Sequence, residues 1–144
     1  METKFNSQIC TTREQSERLL ALGLKKETAD MAWHKMDKYS AWEEDTNSYE
    51  EWITEILPLV PSNIDESLIP AWSLHRLIEM MPNSIHNKRI LAYLTIMNDR
   101  VLYDTIKNET YSAFTNNNGL FAAVVDAVEW LIKEGYFNKE YLED

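Results

Sequence analysis

The chain has 144 residues, a length typical of one domain built around a single core. Hydrophobic residues make up 44% and charged residues 26%, a balance that is typical of a soluble globular chain and disfavours long disorder or a purely fibrous protein. The net charge is −10, from 24 acidic against 14 basic side chains without any basic run, so we expect no direct binding of nucleic acid, whose affinity comes from Lys and Arg at phosphates.

The termini and hydropathy predict a cytoplasmic protein. Residues 1–9 are polar and lack the apolar core of a signal peptide, and residues 1–8 are expected to form a disordered tail. The most hydrophobic stretch, 120–132, contains Asp126 and Glu129, so no segment is expected to span a membrane. A chain of this size buries enough surface to fold without a disulfide or a structural metal, and the single cysteine, Cys10, has no partner.

The first predicted element is a helix over about residues 12–22. Thr11, Thr12 and Glu14 form a capping-box start. Gly23 ends the helix as the residue after its C-cap, which would fold Leu24 back on Leu19.

The next segments are less regular. Residues 26–31 predict one further turn. Residues 32–42 carry aromatic or apolar side chains at three-residue spacing but no cap and no alternation, so the structure of 32–47 stays open.

A second helix is predicted over 48–57. Ser48 and Glu51 make another capping box, and Pro58 closes the helix. Its apolar residues recur at helical spacing, namely Tyr49, Trp52, Ile53, Ile56 and Leu57. Residues 62–69 then form a polar connection.

A third helix is predicted to begin after Ser73 and to end before Pro82. The serine is a good N-cap, and the helical stripe consists of Leu74, Leu77, Ile78 and Met81. Residues 83–88 are interpreted as a turn.

The pattern changes to strands after residue 89. Alternation over 90–97 and the content of Ile, Tyr and Thr predict a strand. With Asn98 and Asp99 as a two-residue turn, Ile96 would lie opposite Val101 and Leu94 opposite Tyr103. Residues 111–115 are a candidate third strand.

The last predicted helix covers residues 120–134, after the breaker cluster 116–119. Its buried stripe contains Phe121, Val124, Val125, Val128, Leu131 and Ile132. Asp126, Glu129 and Lys133 mark the expected solvent side. Gly135 ends the helix and lets Tyr136 pack back on the last turn.

These elements predict one α+β domain over residues 1–144. Three to four helices would pack on a small antiparallel β-sheet formed by the 89–115 region.

Three runs resemble a group of small proteins carried by prophages and other mobile elements of gut bacteria. They are residues 11–31, 69–82 and 127–136, of which 69–82 (Ile-Pro-Ala-Trp-Ser-Leu-His-Arg-Leu-Ile-Glu-Met-Met-Pro) is the most specific. The group has no activity to carry over, so the resemblance implies a genomic setting and not a mechanism.

No catalytic motif is present in the sequence, and no cofactor or metal is predicted. His75 and Glu79, like Asp30 and His34, have the i,i+4 spacing of ligands on one helix face, but a third ligand is missing and surface pairs are the simpler interpretation. Cys10 precedes a helix, which would lower its thiol pKa, yet a small buried side chain is the simpler interpretation.

The most distinctive local feature is an acidic, aromatic segment without Lys or Arg. It lies in region 41–82, which has nine acidic and one basic side chain. Solubility is the simpler interpretation of this acidity, and the alternative is a contact surface for a basic protein partner. The candidate residues of that surface are Trp42, Glu43, Glu44, Asp45, Tyr49, Glu50, Glu51, Trp52 and Glu55.

The sequence thus favours a non-enzymatic protein-interaction or regulatory accessory protein of a mobile element. An enzyme of unrecognised type with a small pocket near His75 is the alternative. Self-association is expected to give a symmetric homodimer, with a sheet edge or the helix after Trp72 as its seam.

Overall fold

The computed structural model describes residues 8–37, 50–56 and 68–144; for residues 35–37, 50–53, 55 and 56 it describes the backbone alone. These residues form an α+β structure with three α-helices and two antiparallel sheets. The helices are α1 (Arg13–Ala21), α2 (Leu74–Met80) and α3 (Leu120–Glu134). The strands are β1 (Met31–Asp37), β2 (Glu50–Ile56), β3 (Leu68–Ala71), β4 (Ser84–Asn87), β5 (Ile90–Ile96), β6 (Arg100–Thr105) and β7 (Thr110–Thr115).

The larger sheet is a meander of four strands in the order β4-β5-β6-β7. The predicted hairpin is confirmed, because Leu94 pairs with Tyr103 and Ile96 with Val101 across β5 and β6. The predicted third strand is confirmed as β7, which pairs with β6.

The interpretation of residues 83–88 as a turn is wrong. Ser84–Asn87 form strand β4, which pairs with β5 and brings Ile85 opposite Ala92. Ile85 is buried while the other three residues are exposed, so a single apolar side chain anchors the strand to the core. One buried residue in four gives too little alternation to be recognised as a strand in the sequence.

The smaller sheet has the order β2-β1-β3, and its strand β2 contradicts the helix predicted over 48–57. Residues 50–56 pair along the whole of β1, from Asp37 opposite Glu50 to Met31 opposite Ile56. Three of the last four residues of β2 are β-branched, a type that fits an extended backbone better than a helix. Pairing with a distant strand therefore overrides the local helical stripe.

The segment around β1 is also more extended than the sequence pattern indicates. Only Lys26–Thr28 form a 3-10 turn, and Met31 already belongs to β1. Residues 32–37, whose structure the sequence left open, complete that strand. The polar connection predicted over 62–69 gives way to β3 at Leu68.

Helix α1 begins and ends nearly as predicted, with a different capping partner. Gln15 N donates to Thr12 Oγ1 at 3.1 Å, and Thr12 N donates to Gln15 Oε1 at 2.9 Å, so Gln15 and not Glu14 completes the capping box. At the other end, Leu24 N donates to Leu19 O at 3.1 Å beyond a left-handed Gly23. The fold-back at Gly23 is thereby confirmed.

Helix α3 has the predicted bounds and ends at a left-handed Gly135, where Tyr136 N donates to Leu131 O at 2.9 Å. Its predicted solvent side needs a correction. Arg18 Nη2 lies 2.7 Å from Glu129 Oε1 and 3.4 Å from Asp126 Oδ1, which ties α1 to α3.

The core lies between the inner face of the four-stranded sheet and the helices. Its largest fully buried side chains include Trp72, Tyr103 and Leu131. A second, small cluster beside the three-stranded sheet contains Cys10 and Met31. The other face of the four-stranded sheet points away from this core.

Candidate binding surface

Exposed apolar side chains concentrate on the four-stranded sheet. Among the described residues six large apolar side chains are exposed, and five belong to this sheet or its loops: Ile90, Leu91, Tyr93, Met97 and Ile106. The sixth is Ile9. Leu91, Tyr93 and Met97 alternate with residues that point towards the core, so they share one side of the sheet, which we call the open face.

A groove lies at the end of this sheet where two turns meet, the β4–β5 turn and the β6–β7 turn. Its cavity volume is about 320 Å³. We call it the hairpin-end groove; it is lined by Arg89, Ile90, Leu91, Thr105, Ile106, Lys107 and Glu109. Leu91 belongs to both surfaces, so the groove and the open face are continuous.

The hairpin-end groove is basic although the chain is acidic overall. Its lining carries two cations, Arg89 and Lys107, and one anion, Glu109, and the exposed Lys88 lies next to Arg89 in the β4–β5 turn. Within the part of the chain that the structure describes, these three cations form no ion pair. Their charge is therefore available to a ligand.

Both turns contain a non-glycine residue with a left-handed backbone. Lys88 has φ of 50° and Asn108 has φ of 59°. Asparagine tolerates this conformation, whereas for lysine it costs about 1–2 kcal/mol. The β6–β7 turn is fixed further by Thr105 N, which donates to Glu109 O at 2.9 Å, and by Asn108 N, which donates to Thr105 O at 2.9 Å.

Tyrosine hydroxyls hold the two turns to the end of α3. Asn87 Nδ2 donates to the Tyr111 hydroxyl at 3.1 Å, and the Tyr111 and Tyr136 hydroxyls lie 3.3 Å apart. The hydrogen bonds from Tyr136 and Asn87 lower the pKa of Tyr111, and the same contact with Tyr111 raises the pKa of Tyr136. Trp130 packs against both rings. The end of β4 is therefore connected through Tyr111 and Tyr136 to Trp130 of α3.

The structure describes only part of the acidic, aromatic set that the sequence predicts as a contact surface. Trp42, Glu43, Glu44, Asp45 and Tyr49 fall outside the described residues. The others are in β2, where the register places Glu50, Glu51, Trp52 and Glu55 opposite Asp37, Met36, Lys35 and Ala32. They occupy a strand and not the predicted helix.

The two pairs with i,i+4 spacing, His75 with Glu79 and Asp30 with His34, lie in different kinds of secondary structure. His75 Nε2 lies 3.7 Å from Glu79 Oε2, and the His75 side chain is 87% exposed, as expected for a surface pair on a helix. Asp30 precedes β1, so its spacing to His34 has no helical meaning. Its carboxylate accepts from Ser73 N at 2.8 Å and so fixes the start of α2.

Cys10 is a buried thiol and not a nucleophile. The side chain is 2% exposed and belongs to the cluster beside the three-stranded sheet. Burial, and then the charge of Asp30, raises its pKa to about 11. The lowered pKa expected from its place before a helix is therefore wrong, and the interpretation as a small buried side chain is confirmed.

The described residues contain no group of three His, Cys, Asp or Glu side chains that would hold a metal ion. No described helix has the length and apolar character needed to cross a bilayer. Comparison of the chain with protein-family models, curated proteins and solved structures finds no match.

Sequence reasoning did not find the open face or the groove. The available signal was the second set of alternating residues in 90–97, because Leu91, Tyr93 and Met97 are as apolar as the residues of the core-facing set. A strand that is apolar on both sides needs a second packing partner or a ligand. That argument applies to β5, whose central position becomes apparent only with β4 and β6 beside it.

Proposed function

We propose that this chain is a non-enzymatic protein-interaction accessory protein that binds its partner through the open face and the hairpin-end groove. The observation that supports this proposal is the clustering of five of the six exposed large apolar side chains on one sheet. Isolated apolar residues are normal on protein surfaces, but a contiguous patch rimmed by polar groups is typical of an interaction site.

The cellular setting is part of the same proposal. We place the protein in the bacterial cytoplasm as a product of a mobile element, on the basis of the resemblance in residues 11–31, 69–82 and 127–136. The acidic segment that includes Trp42 and Glu55 stays a second candidate surface, for a basic partner.

A symmetric homodimer through a sheet edge also stays a hypothesis. Within the described strands, β4 and β7 are the edges of the larger sheet. Trp72 does not supply surface to such a seam, because its side chain is fully buried. The enzyme alternative has less support, since exposed His75 faces Glu79 and the groove lies at other residues.

The proposal is tested by capture of partners from a lysate of the native host with the immobilised protein. The variant Leu91→Ser/Tyr93→Ser removes the apolar character of the open face. Ile9→Ser is the matched control, because Ile9 is the exposed large apolar residue off the sheet. Ile9→Ser should keep stability within about 0.5 kcal/mol, as for an ordinary surface change. The double variant should cost more, because Leu91 and Tyr93 are each more than half covered within β5.

We expect wild type and Ile9→Ser to retain the same proteins and the double variant to lose them. Circular dichroism and thermal unfolding establish that all three proteins are folded. Retention of the same proteins by the double variant, or failure of wild type to retain any, would contradict the proposal. The genes that neighbour this one should include the captured partner.

A further inference from the structure

We propose that the hairpin-end groove binds an acidic peptide segment of a partner protein, with at least one large apolar side chain of that segment seated between the two turns. This inference rests on the proposed function and names the chemistry of the partner.

The charge of the groove selects an anionic ligand. Arg89 and Lys107 supply two cations to a lining that has one anion, Glu109, and Lys88 adds a third cation next to Arg89 in the same turn, on a chain whose net charge is −10. A patch of opposite sign to the rest of the surface directs an acidic segment to one location, since the remaining surface repels it. The Arg89 guanidinium adds a donor geometry that fits a carboxylate in a bidentate manner.

The apolar side chains of the lining favour a ligand that carries an apolar group as well as a negative charge. Ile106 is 77% exposed, and Ile90 and Leu91 are each 38% exposed in the same lining. The volume of about 320 Å³ is at the small end of the range for ligand sites, enough for one or two side chains. An acidic segment with an aliphatic or aromatic residue satisfies both the cations and the apolar walls.

The backbone that carries Lys88 and Arg89 has a defined conformation next to an anchored residue. Lys88 occupies a left-handed position at which glycine or asparagine is preferred, and the neighbouring Asn87 is hydrogen-bonded to Tyr111. A lysine at this position costs conformational energy, but it brings a charge to the turn. A glycine would bring none. Strain at a ligand site is a known form of preorganisation.

Nucleic acids and membranes are less suitable ligands for this groove. The two cations of the lining and Lys88 would neutralise about three phosphates, fewer than the roughly six to ten contacts of strongly salt-dependent DNA-binding proteins. The acidic remainder of the chain would face the same polyanion or anionic bilayer and repel it. A short segment places its charge within the groove and avoids that repulsion.

The test uses a fluorescein-labelled synthetic peptide of alternating Glu and Leu, measured by fluorescence anisotropy with the full chain. A peptide of alternating Lys and Leu keeps the apolar side chains and reverses the charge. A peptide of alternating Glu and Ser keeps the charge and removes the apolar side chains. Double-stranded DNA and vesicles of phosphatidylserine and phosphatidylcholine are offered as competitors.

We expect saturable binding of the Glu–Leu peptide, weaker binding at high salt, and at least roughly tenfold weaker binding of each control peptide. The variant Lys107→Glu should weaken binding of the Glu–Leu peptide by roughly tenfold, because it replaces an attraction with a repulsion. Lys26→Glu is the matched control, since Lys26 is an exposed lysine in the 3-10 turn before β1. It should leave binding unchanged.

Equal binding of the Lys–Leu peptide, insensitivity to Lys107→Glu, or displacement by DNA or vesicles at matched charge would overturn the inference. The outcome is separable from that of the proposed function. If host partners are captured through Leu91 and Tyr93 while the Glu–Leu peptide does not bind, the protein-interaction function stands and the acidic-segment inference fails.

Discussion

The indole of Trp72 donates its Nε1 hydrogen to Thr28 Oγ1 at 2.9 Å, within the fully buried centre of the molecule. The same hydroxyl donates to Lys25 O at 2.6 Å, so both hydrogen-bonding roles of Thr28 are used. Trp72 N in turn donates to Thr11 Oγ1 at 3.1 Å. These contacts join the turn before β1, the segment before α1 and the junction of β3 with α2. Trp72, within the run 69–82, is therefore a structural residue.

The contribution of the hydrogen bond between Trp72 and Thr28 to stability can be measured with a double-mutant cycle. Thr28→Val should lower the free energy of unfolding by about 1–3 kcal/mol, because it leaves a buried indole N–H and the Lys25 carbonyl without their partner. In a Trp72→Phe background the same change should cost clearly less, since the indole donor is absent. Urea unfolding provides the measurement, with Thr95→Val as an exposed control. Equal costs in the two backgrounds would show that the contact has no coupling energy.

The ion pair between α1 and α3 should stabilise the fold more than a surface pair does. Glu129 is 13% exposed and Arg18 is 44% exposed, and the hydrogen bond to Glu129 raises the pKa of Arg18. Arg18→Met should cost about 1 kcal/mol, because it leaves a largely covered carboxylate without its partner. Arg100→Met is the comparison, since Arg100 pairs with Asp99 on the surface. It should cost less than about 0.5 kcal/mol, and a cost as large as that of Arg18→Met would refute the argument.

Local signals predicted the helices and the central hairpin because their determinants are close in sequence. The end of α1 at Gly23, the serine cap of α2 and the 15-residue α3 all follow from short-range capping and periodicity. The turn at Asn98 and Asp99 set the register of β5 against β6 in the same way.

The strands that the sequence did not predict depend on distant partners. Ile53 belongs to a stripe that fits a helix in isolation, and only the pairing of β2 with β1 makes it a strand residue. Ile85 is one apolar residue among polar ones, and its burial needs β5 beside it. The groove was missed for the same reason, because Arg89 and Lys107 lie on separate turns that meet only after the meander forms.

The Cys10 thiol should be unreactive in the folded protein and should contribute a pH dependence to stability. Burial raises its pKa to about 11, so the unfolded state loses its proton first as the pH rises from a value near 9. The contribution of this group to stability is therefore complete below about pH 9 and is lost towards pH 11. Between these values the free energy of unfolding of wild type should fall more steeply than that of Cys10→Ala.

Two measurements check this. Urea unfolding of both proteins across that pH range gives the difference in slope, from which groups common to both cancel. A thiol-specific reagent should label Cys10 slowly in buffer and quickly in urea. Rapid labelling of the folded protein, or parallel pH profiles, would mean that the thiol is accessible.

Replacing Lys88 with glycine should raise the stability of the fold and weaken binding of the Glu–Leu peptide. Lys88→Gly relieves a left-handed lysine, a gain of about 1–2 kcal/mol. It also adds the entropic cost of glycine, about 0.5–1 kcal/mol, so the net expectation is a protein more stable by up to about 1.5 kcal/mol. Arg89→Gly removes one cation from the same turn but relieves no such strain, and should therefore destabilise. Both variants should weaken binding of the Glu–Leu peptide, because Arg89→Gly removes a charge from the groove lining and Lys88→Gly removes one from the position next to it. Urea unfolding and anisotropy on the two variants decide the matter. A stabilised Lys88→Gly that binds the peptide as well as wild type would show that this lysine has no part in the groove, and a destabilised one would show that its backbone is not strained.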